Sequence, residues 1–390
     1  MKRLIHVLRP EFWGLILPPL FFFGWMILTP QTIGNDYVVY QVSESLHYRV
    51  FHSLGIEPMW DVFQTGGVPV SAHAFAQIFH FPAWLLSHLP GFWTGHAIVL
   101  FTAKHIVLAI LGQFITFWVL LRISRFSKLG CYLLSFLCIY NLRTLDALRY
   151  GAAFDTFIYG LCFLMLGLLY VDAARPWLLL PIALFFQFFV TSGYYPALPH
   201  ICLAFLVSIF VIIYLNREKY SARIHLKLFA LIGAATLAGM LLSAPNWLPF
   251  LEFIQVNYGR VQDASIGWSN YRPLNPTGVF LNLFQPWSAE VHSGFGGCTL
   301  LTLIVCSFIT FGIRDFRNSW VILLVIALPF LLAFGAADPL YVFFYKYVPG
   351  FSMIRAPGRV MIILPIFLIA SFLALEKRLS ADREKAKGIV

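Results

Sequence analysis

Charged residues are scarce in this sequence. Only 11% of its 390 residues are charged, whereas 60% are hydrophobic, and the mean hydropathy is +0.79. A soluble domain carries about 25% charged residues, so this composition excludes a soluble protein and indicates a polytopic membrane protein. The formal net charge of +10 does not indicate a nucleic-acid partner, because the basic residues lie in short loops between apolar spans.

Paired cysteines and familiar catalytic motifs are also lacking. The six cysteines lie in or beside apolar spans without a C-x-x-C pair, which predicts buried thiols rather than disulfides or a metal site. No phosphate-binding loop, dinucleotide-binding glycine motif, zinc-protease motif or nucleophile elbow occurs. The short inner loops also leave no room for a nucleotide-dependent cytoplasmic active site.

Long apolar runs are abundant instead. Runs of about 17–25 residues can cross a bilayer. With one shorter run, they predict an all-α, single transmembrane domain over 1–390 with about ten membrane helices. The basic start Met1-Lys2-Arg3 precedes the first of them without a cleavage site, which indicates an uncleaved helix. The predicted spans lie near 12–29, 97–121, 129–141, 151–171, 176–193, 198–215, 226–245, 296–313, 319–337 and 357–375.

Most of the 27 Lys and Arg residues lie on one side of these spans. The positive-inside rule therefore predicts that both termini, including the tail 376–390, are cytoplasmic. The long loops 30–96 and 246–295 are then extracytoplasmic, and long ordered loops often carry function. Helical spacing of apolar residues over Val38–Leu54 and Ala74–Leu89 predicts two interfacial helices in the first loop.

Asp36 follows the first predicted helix closely and therefore lies near the outer membrane surface. A carboxylate there can act as a base towards a hydroxyl group or bind a divalent metal. The alternative is a helix cap, since Asn35 and Asp36 precede the stretch Val38–Leu54.

The same loop holds aromatic and polar side chains around a tight turn at residues 66–69. Trp60 could stack on a sugar ring, while Asp61, Gln64 and His73 could form hydrogen bonds with its hydroxyl groups. A plain structural turn that closes the helix bundle explains the same residues equally well.

Ionisable residues also fall inside predicted spans, where they are costly and usually paired. Asp155 lies in one such span, and Arg149 is its predicted partner, either in a salt bridge that ties two helices together or in a site where Arg149 binds substrate. Lys104 and His105 lie in the second span. There Lys104 either binds a phosphate or extends its ammonium group to the outer interface.

Two arginines, Arg355 and Arg359, stand at the outer mouth of the last span. Guanidinium groups suit phosphate, and a site at the interface suits a lipid phosphate, although interfacial anchoring is the alternative. In the loop 246–295, Gln285 and Glu290 could shape an acceptor site.

Taken in order, several stretches resemble the bacterial YfhO-like family of membrane proteins, which is placed with the GT-C type of integral-membrane glycosyltransferases. The resemblance covers nearly the whole chain. It is carried by Asp36-Tyr37 to Gln41, Pro58-Met59-Trp60-Asp61 to Gly66-Gly67-Val68-Pro69, Ser243-Ala244-Pro245-Asn246-Trp247-Leu248-Pro249-Phe250-Leu251-Glu252, and Asp338-Pro339-Leu340-Tyr341 to Arg355-Ala356-Pro357-Gly358-Arg359.

The resemblance implies a GT-C-like bundle and a polyprenyl-phosphate sugar donor used on the outer face. Asp36 would deprotonate the acceptor hydroxyl group or hold a divalent metal, Mg or Mn, and the sugar would be transferred with inversion. Arg355 would stabilise the departing lipid phosphate, assisted by Arg359 or Lys104. Family members are often longer and carry Asn where this chain has Asp61.

We therefore expect a membrane glycosyltransferase in the bacterial plasma membrane, with a glycan, lipid or protein of the cell envelope as acceptor. The alternative is a non-catalytic transporter or flippase for a lipid-linked glycan, or a structural subunit with a membrane-protein partner. Transporters often contain repeated halves. No internal repeat is evident in this sequence.

Overall fold

Helices account for all the regular structure in the part of the chain that the computed structural model describes. No strand occurs in it. The described residues are 10–28, 77, 79–92, 96–140, 144, 147–148, 151–193, 198–215, 221–256, 327–348, 351–353, 360, 363, 366–367, 369–370 and 373.

We number the described helices α1 to α10 in chain order. They are Pro10–Leu28 (α1), Phe81–Ser87 (α2), Ala97–Ile123 (α3), Lys128–Ile139 (α4), Ala152–Ala173 (α5), Leu179–Thr191 (α6), Leu198–Leu215 (α7), Ala222–Leu242 (α8), Ala244–Val256 (α9) and Pro339–Tyr347 (α10). Short 3₁₀ turns lie at Pro176–Leu178, Gly335–Ala337 and Phe351–Met353.

Three of the described segments are long and apolar enough to cross a membrane: Val99–Ile123, Ala152–Ala173 and Arg223–Leu242. With the composition, they identify a helical membrane protein, as predicted. Each predicted span up to residue 245 coincides with a described helix. The span 296–313 lies outside the described residues, and the next two are described only in part.

The central helix is α5, which packs against α3, α6, α7 and α8. All its residues from Ala152 to Val171 are buried. A helix that is apolar all round and enclosed by other helices has protein, not lipid, as its surroundings. In contrast, only 28% of the apolar window in α8 is buried. Its exposed Phe229, Leu237 and Leu241 form a surface suited to lipid.

Two glycines allow close helix packing. A β-carbon at Gly160 of α5 would lie 2.8 Å from Ile201 Cδ1 on α7, and one at Gly239 of α8 would lie 2.5 Å from the carbonyl oxygen of Ala183 on α6. Real β-carbons do not approach other atoms this closely. Small residues therefore set the helix spacing here, as is usual in membrane bundles.

The interfacial helix predicted over Ala74–Leu89 is shorter in the structure, where it is α2. Gln77 has φ 50°, in the left-handed region, so a regular helix cannot include it. Pro82 occupies the first turn of α2, where its missing N–H group is tolerated. Trp84 is exposed, as expected at a membrane interface. The second predicted interfacial helix, Val38–Leu54, lies outside the described residues.

Candidate functional site

Two neighbouring helices bring three ionisable side chains together. Lys104 and His105 are consecutive residues of α3, and Asp155 lies in the first turn of α5. Lys104 Nζ forms an ion pair and hydrogen bond with Asp155 Oδ2. His105 Nδ1 lies 2.9 Å from Asp155 Oδ1. Each carboxylate oxygen thus has its own donor on α3. We call these three residues the ionisable cluster.

The ionisable cluster is buried. His105 and Asp155 have no exposed surface, and Lys104 is 6% exposed. An isolated charge in such surroundings costs several kcal/mol, roughly, whereas a paired and hydrogen-bonded charge is tolerated. The Lys104 ammonium also lies 5.1 Å from the centre of the Phe101 ring, whose face attracts a cation. Pairing therefore explains how these groups fit inside apolar helices.

Asp155 also fixes the tautomer of His105. A carboxylate accepts hydrogen bonds, so His105 Nδ1 carries the proton that it donates to Asp155 Oδ1. The Phe154 ring packs edge-on against the imidazole, with the ring centres 5.7 Å apart. A carboxylate that orients a histidine through Nδ1 is the arrangement found in general-base and metal-binding histidines.

A second histidine, His80, lies beside the cluster at the start of α2. Its Nδ1 is 2.9 Å from Thr191 Oγ1, at the end of α6. The Thr191 hydroxyl group donates its own proton to the Gln187 carbonyl oxygen at 3.0 Å. It therefore accepts from His80, so His80 Nδ1 carries the proton. The rings of Tyr159 and Phe188 enclose the imidazole, with centres 5.4 Å and 6.1 Å away.

His80 is held in its neutral form. Burial lowers the pKa of this histidine to about 3, because a charged imidazole would lose its hydration. The positive charge of Lys104 lowers the pKa further, and the negative charge of Asp155 opposes this. Both charges are therefore close enough to act on His80, which belongs to the same polar region as the ionisable cluster.

Hydrogen bonds tie the segment before α2 to the bundle. Gln77 Nε2 donates to the Ser192 carbonyl oxygen at 2.6 Å, and the hydroxyl oxygens of Thr156 and Ser192 lie 2.5 Å apart. Thr156 follows Asp155 directly. A left-handed residue other than glycine costs on the order of 1–2 kcal/mol, and here the hydrogen bond holds Gln77 in that conformation.

All these groups lie at one end of the bundle. The contacts between Lys104 and Asp155 and between Thr156 and Ser192 bring together the third turn of α3, the first turn of α5 and the end of α6. The basic residue Arg122 lies in the last turn of α3, and Arg175 follows the end of α5. Both are at the end of the bundle opposite to the cluster. The positive-inside rule predicts that the basic end is cytoplasmic, so the cluster is predicted to face the other side.

Of the predicted site residues, Lys104 is the one that the structure describes. It is paired with Asp155 and does not extend to an exposed surface. Arg149, the predicted partner of Asp155, lies outside the described residues; the partners that the structure shows are Lys104 and His105. The other predicted site residues also lie outside the described part: Asp36, Trp60, Asp61, Gln64, His73, Gln285, Glu290, Arg355 and Arg359.

The sequence patterns do not predict the contacts of four polar residues: His80, Gln77, Thr191 and Ser192. His80 lies between apolar residues in a segment predicted as an interfacial helix, and Thr191-Ser192 ends an apolar span. Neither pattern marks a buried contact. The pairing appears only when residues 77–80 pack against the end of α6, so no local signal in the sequence could have found it.

The described residues contain no group of three or more His, Cys, Asp or Glu side chains that could hold a metal ion. The predicted metal ligand, Asp36, is outside that part of the chain. Cys131, Cys138 and Cys162 are buried, and Cys202 is half-buried. The other two cysteines, Cys298 and Cys306, lie outside the described residues.

Known proteins add no assignment to this geometry. The chain matches no protein-family model, no curated protein and no solved structure.

Proposed function

We propose that this protein is an integral-membrane glycosyltransferase of the GT-C type. It moves a sugar from a polyprenyl-phosphate-linked donor to an acceptor in the bacterial cell envelope, with inversion at the anomeric carbon. The observation that supports it most is the ionisable cluster with His80, at the end of the bundle predicted to face outwards. The long loops that carry the predicted catalytic residues are predicted to emerge on that same side.

The proposed reaction needs a base, a donor and a stabilised leaving group. Asp36 removes the proton of the acceptor hydroxyl group, whose oxygen attacks the anomeric carbon. The bond from that carbon to the phosphate oxygen breaks, and its electron pair leaves with the polyprenyl phosphate. Arg355 and Arg359 stabilise that phosphate, since fixed cations favour developing negative charge. A Mg or Mn ion at Asp36 would make the acceptor hydroxyl group more acidic.

The ionisable cluster has a supporting role in this proposal. Asp155 accepts a hydrogen bond from one N–H group of Lys104. This contact holds the ammonium group in one position inside the bundle. A fixed, buried cation acts on nearby charge more strongly than a hydrated one. Lys104 is thus assigned to the donor phosphate as an electrostatic helper, while its pairing with Asp155 offsets its charge before the donor binds.

One observation favours a second candidate, a carrier for a lipid-linked glycan. Ionisable residues inside membrane helices often mark the path of a proton or substrate in transporters, and the ionisable cluster lies in two such helices. In a carrier, protonation of Asp155 would release Lys104 and change how α3 and α5 pack. Such a protein would move the lipid-linked sugar across the bilayer without breaking the sugar–phosphate bond.

Sugar transfer by the purified protein in lipid nanodiscs tests the proposal. Wild type, Asp36→Asn and Arg355→Ala would be supplied with radiolabelled polyprenyl-phosphate sugars and membrane-derived acceptors. Loss of a general base lowers a rate by about 10²–10⁴-fold, so Asp36→Asn should nearly abolish transfer while donor binding persists. Arg355→Ala should lower the transfer rate by about 10²-fold or more.

Glu252→Gln serves as the matched control, because Glu252 is an exposed acid on α9, and its transfer rate should equal that of wild type. Transfer that survives in Asp36→Asn would exclude Asp36 as the base. If wild type transfers no sugar but moves labelled lipid across vesicle membranes, the carrier is correct and the enzyme is not.

A further inference from the structure

His80 presents a buried nitrogen that the contacts described above do not use. Its Nδ1 proton is donated to Thr191, because the Thr191 hydroxyl proton is committed to Gln187. The neutral ring then carries a lone pair on Nε2, which can only accept a hydrogen bond. No described residue donates to Nε2, and His80 has no exposed surface.

A buried acceptor without a donor is costly, and most such atoms in proteins have a partner. The surroundings of His80 limit what that partner is. Burial keeps the imidazole neutral even with Asp155 nearby, so Nε2 does not gain a proton of its own at physiological pH. The partner that Nε2 needs is therefore a group with an O–H or N–H bond that the described residues do not supply.

Lys104 supplies the complementary group. Its ammonium has three N–H bonds, and among the described residues Asp155 is its hydrogen-bond acceptor. Donor capacity towards a ligand oxygen therefore remains near His80, whose ring packs against Tyr159, one turn after Asp155 on α5. Phe101 lies next to the ammonium, and Tyr159 lies next to the imidazole. An acceptor, a cation and aromatic rings together suit a ligand that carries hydroxyl groups on a ring and a negative charge nearby.

We propose that His80 Nε2 accepts a hydrogen bond from a hydroxyl group of the donor sugar, with Lys104 beside it facing the phosphate. His80 is then a substrate-binding residue that contacts the sugar of the donor rather than its lipid chain. This inference rests on the proposed function, because it takes a lipid-linked sugar phosphate as the ligand.

Two substitutions at His80 separate binding from structure. An Asn side chain places its amide where Nδ1 lies, so His80→Asn retains a donor for Thr191 and loses the acceptor at Nε2. A Gln side chain reaches the Nε2 position, so His80→Gln retains an acceptor there and loses the hydrogen bond to Thr191. If His80 has only a structural role, Asn should therefore preserve its function better than Gln does. If His80 binds the sugar, Gln should preserve binding better than Asn does.

Binding would be measured with full-length protein in nanodiscs. The probes are polyprenyl phosphate carrying glucose, mannose or N-acetylglucosamine, and the same polyprenyl phosphate without a sugar. Wild type should bind one sugar-bearing lipid more tightly than the bare lipid. His80→Asn should weaken that binding about tenfold, the size expected for one lost hydrogen bond, and leave the bare lipid unaffected. His80→Gln should remain within about threefold of wild type.

Thermal unfolding of the same samples provides the second measurement. His80→Gln should unfold at a lower temperature than His80→Asn, because it loses the contact with Thr191. Three results would overturn the inference. In the first, His80→Asn binds the sugar-bearing lipid as tightly as wild type does. In the second, both variants weaken binding of the bare lipid equally, and in the third, wild type prefers no sugar-bearing lipid over the bare one. The first of these, with wild-type sugar transfer intact, would leave the proposed function standing. Sugar-dependent binding without sugar transfer would contradict the proposed enzyme activity but support the binding site at His80.

Discussion

Asp155 is stable inside the bundle because α3 supplies a donor to each of its oxygens. The attraction between two buried charges and the loss of their hydration are both large, and they nearly offset each other. The net contribution of such a pair to stability is therefore small while it is intact. Removing one partner is different, because the other charge then remains buried alone.

We predict that Lys104→Met and Asp155→Asn each lower the free energy of unfolding by about 3–5 kcal/mol. The double variant should recover most of this loss, since it buries no charge and the introduced amide oxygen can still accept a hydrogen bond from His105. Thermal or denaturant unfolding in detergent, arranged as a double-mutant cycle, would measure the coupling.

Lys227→Met is the control for this cycle, because Lys227 is exposed on α8. Its effect should stay within about 0.5 kcal/mol of wild type. If the losses of the two single variants simply added in the double variant, the ion pair would not contribute as the structure indicates.

The need for a partner at Asp155 could be predicted from the sequence, but the identity of that partner could not. A buried carboxylate in an apolar span requires a cation or donors, and nearness along the chain favours Arg149. The structure shows a partner on α3, 51 positions away. Which face of α3 turns towards α5 depends on packing along both helices. A sequence that is apolar on all faces does not indicate which face that is.

Helix α8 contains two glycines that allow a matched comparison. Gly239 packs against α6, where a β-carbon would meet the backbone oxygen of Ala183 at 2.5 Å. Gly233, less than two turns earlier, has no atom within 4 Å of the position of an added β-carbon. The same substitution therefore probes a packed site and an open site on one helix.

We predict that Gly239→Ala destabilises the protein by about 1–3 kcal/mol, because a backbone atom cannot move aside cheaply. Gly233→Ala should be neutral or stabilise it by up to about 1 kcal/mol through helix propensity. Unfolding temperatures in detergent would test both. Equal effects of the two substitutions would show that α8 does not pack closely on α6 at Gly239.

The positions of the helices were predictable, whereas their surroundings were not. Long apolar runs bounded by basic residues or glycine predict spans directly, and α3, α5 and α8 follow them closely. Yet α5 is enclosed by protein and α8 is largely exposed. Lipid tails and helix interiors are similarly apolar, so hydropathy does not distinguish a central helix from a peripheral one.

At the scale of the whole molecule, the orientation in the membrane decides whether the ionisable cluster and the long loops work on the outer face. His96 at the start of α3 and Arg175 beyond the end of α5 are both exposed, at opposite ends of the bundle. Cysteines placed there report which end faces which compartment.

We predict that His96→Cys reacts with a membrane-impermeant maleimide in intact cells and that Arg175→Cys reacts only after permeabilisation. Both would be made in a variant whose native cysteines are replaced by alanine. Permeabilised cells, in which both positions should react, provide the control. The reverse pattern in intact cells would place the basic loops outside, contrary to the positive-inside rule, and would move the proposed reaction to the cytoplasmic face.

The distance along the chain between Lys104 and Asp155 has a consequence for biosynthesis. As the ribosome delivers the chain, α3 reaches the membrane 51 residues before the carboxylate that neutralises it. A lone lysine at the centre of a membrane helix opposes insertion by about 2.5–3.5 kcal/mol, and Lys104, about two turns from the start of α3, opposes it by less. Until α5 is synthesised, α3 is therefore expected to wait at the insertion machinery or to lie with Lys104 among the lipid headgroups. The two helices would then enter the bilayer together, as one unit.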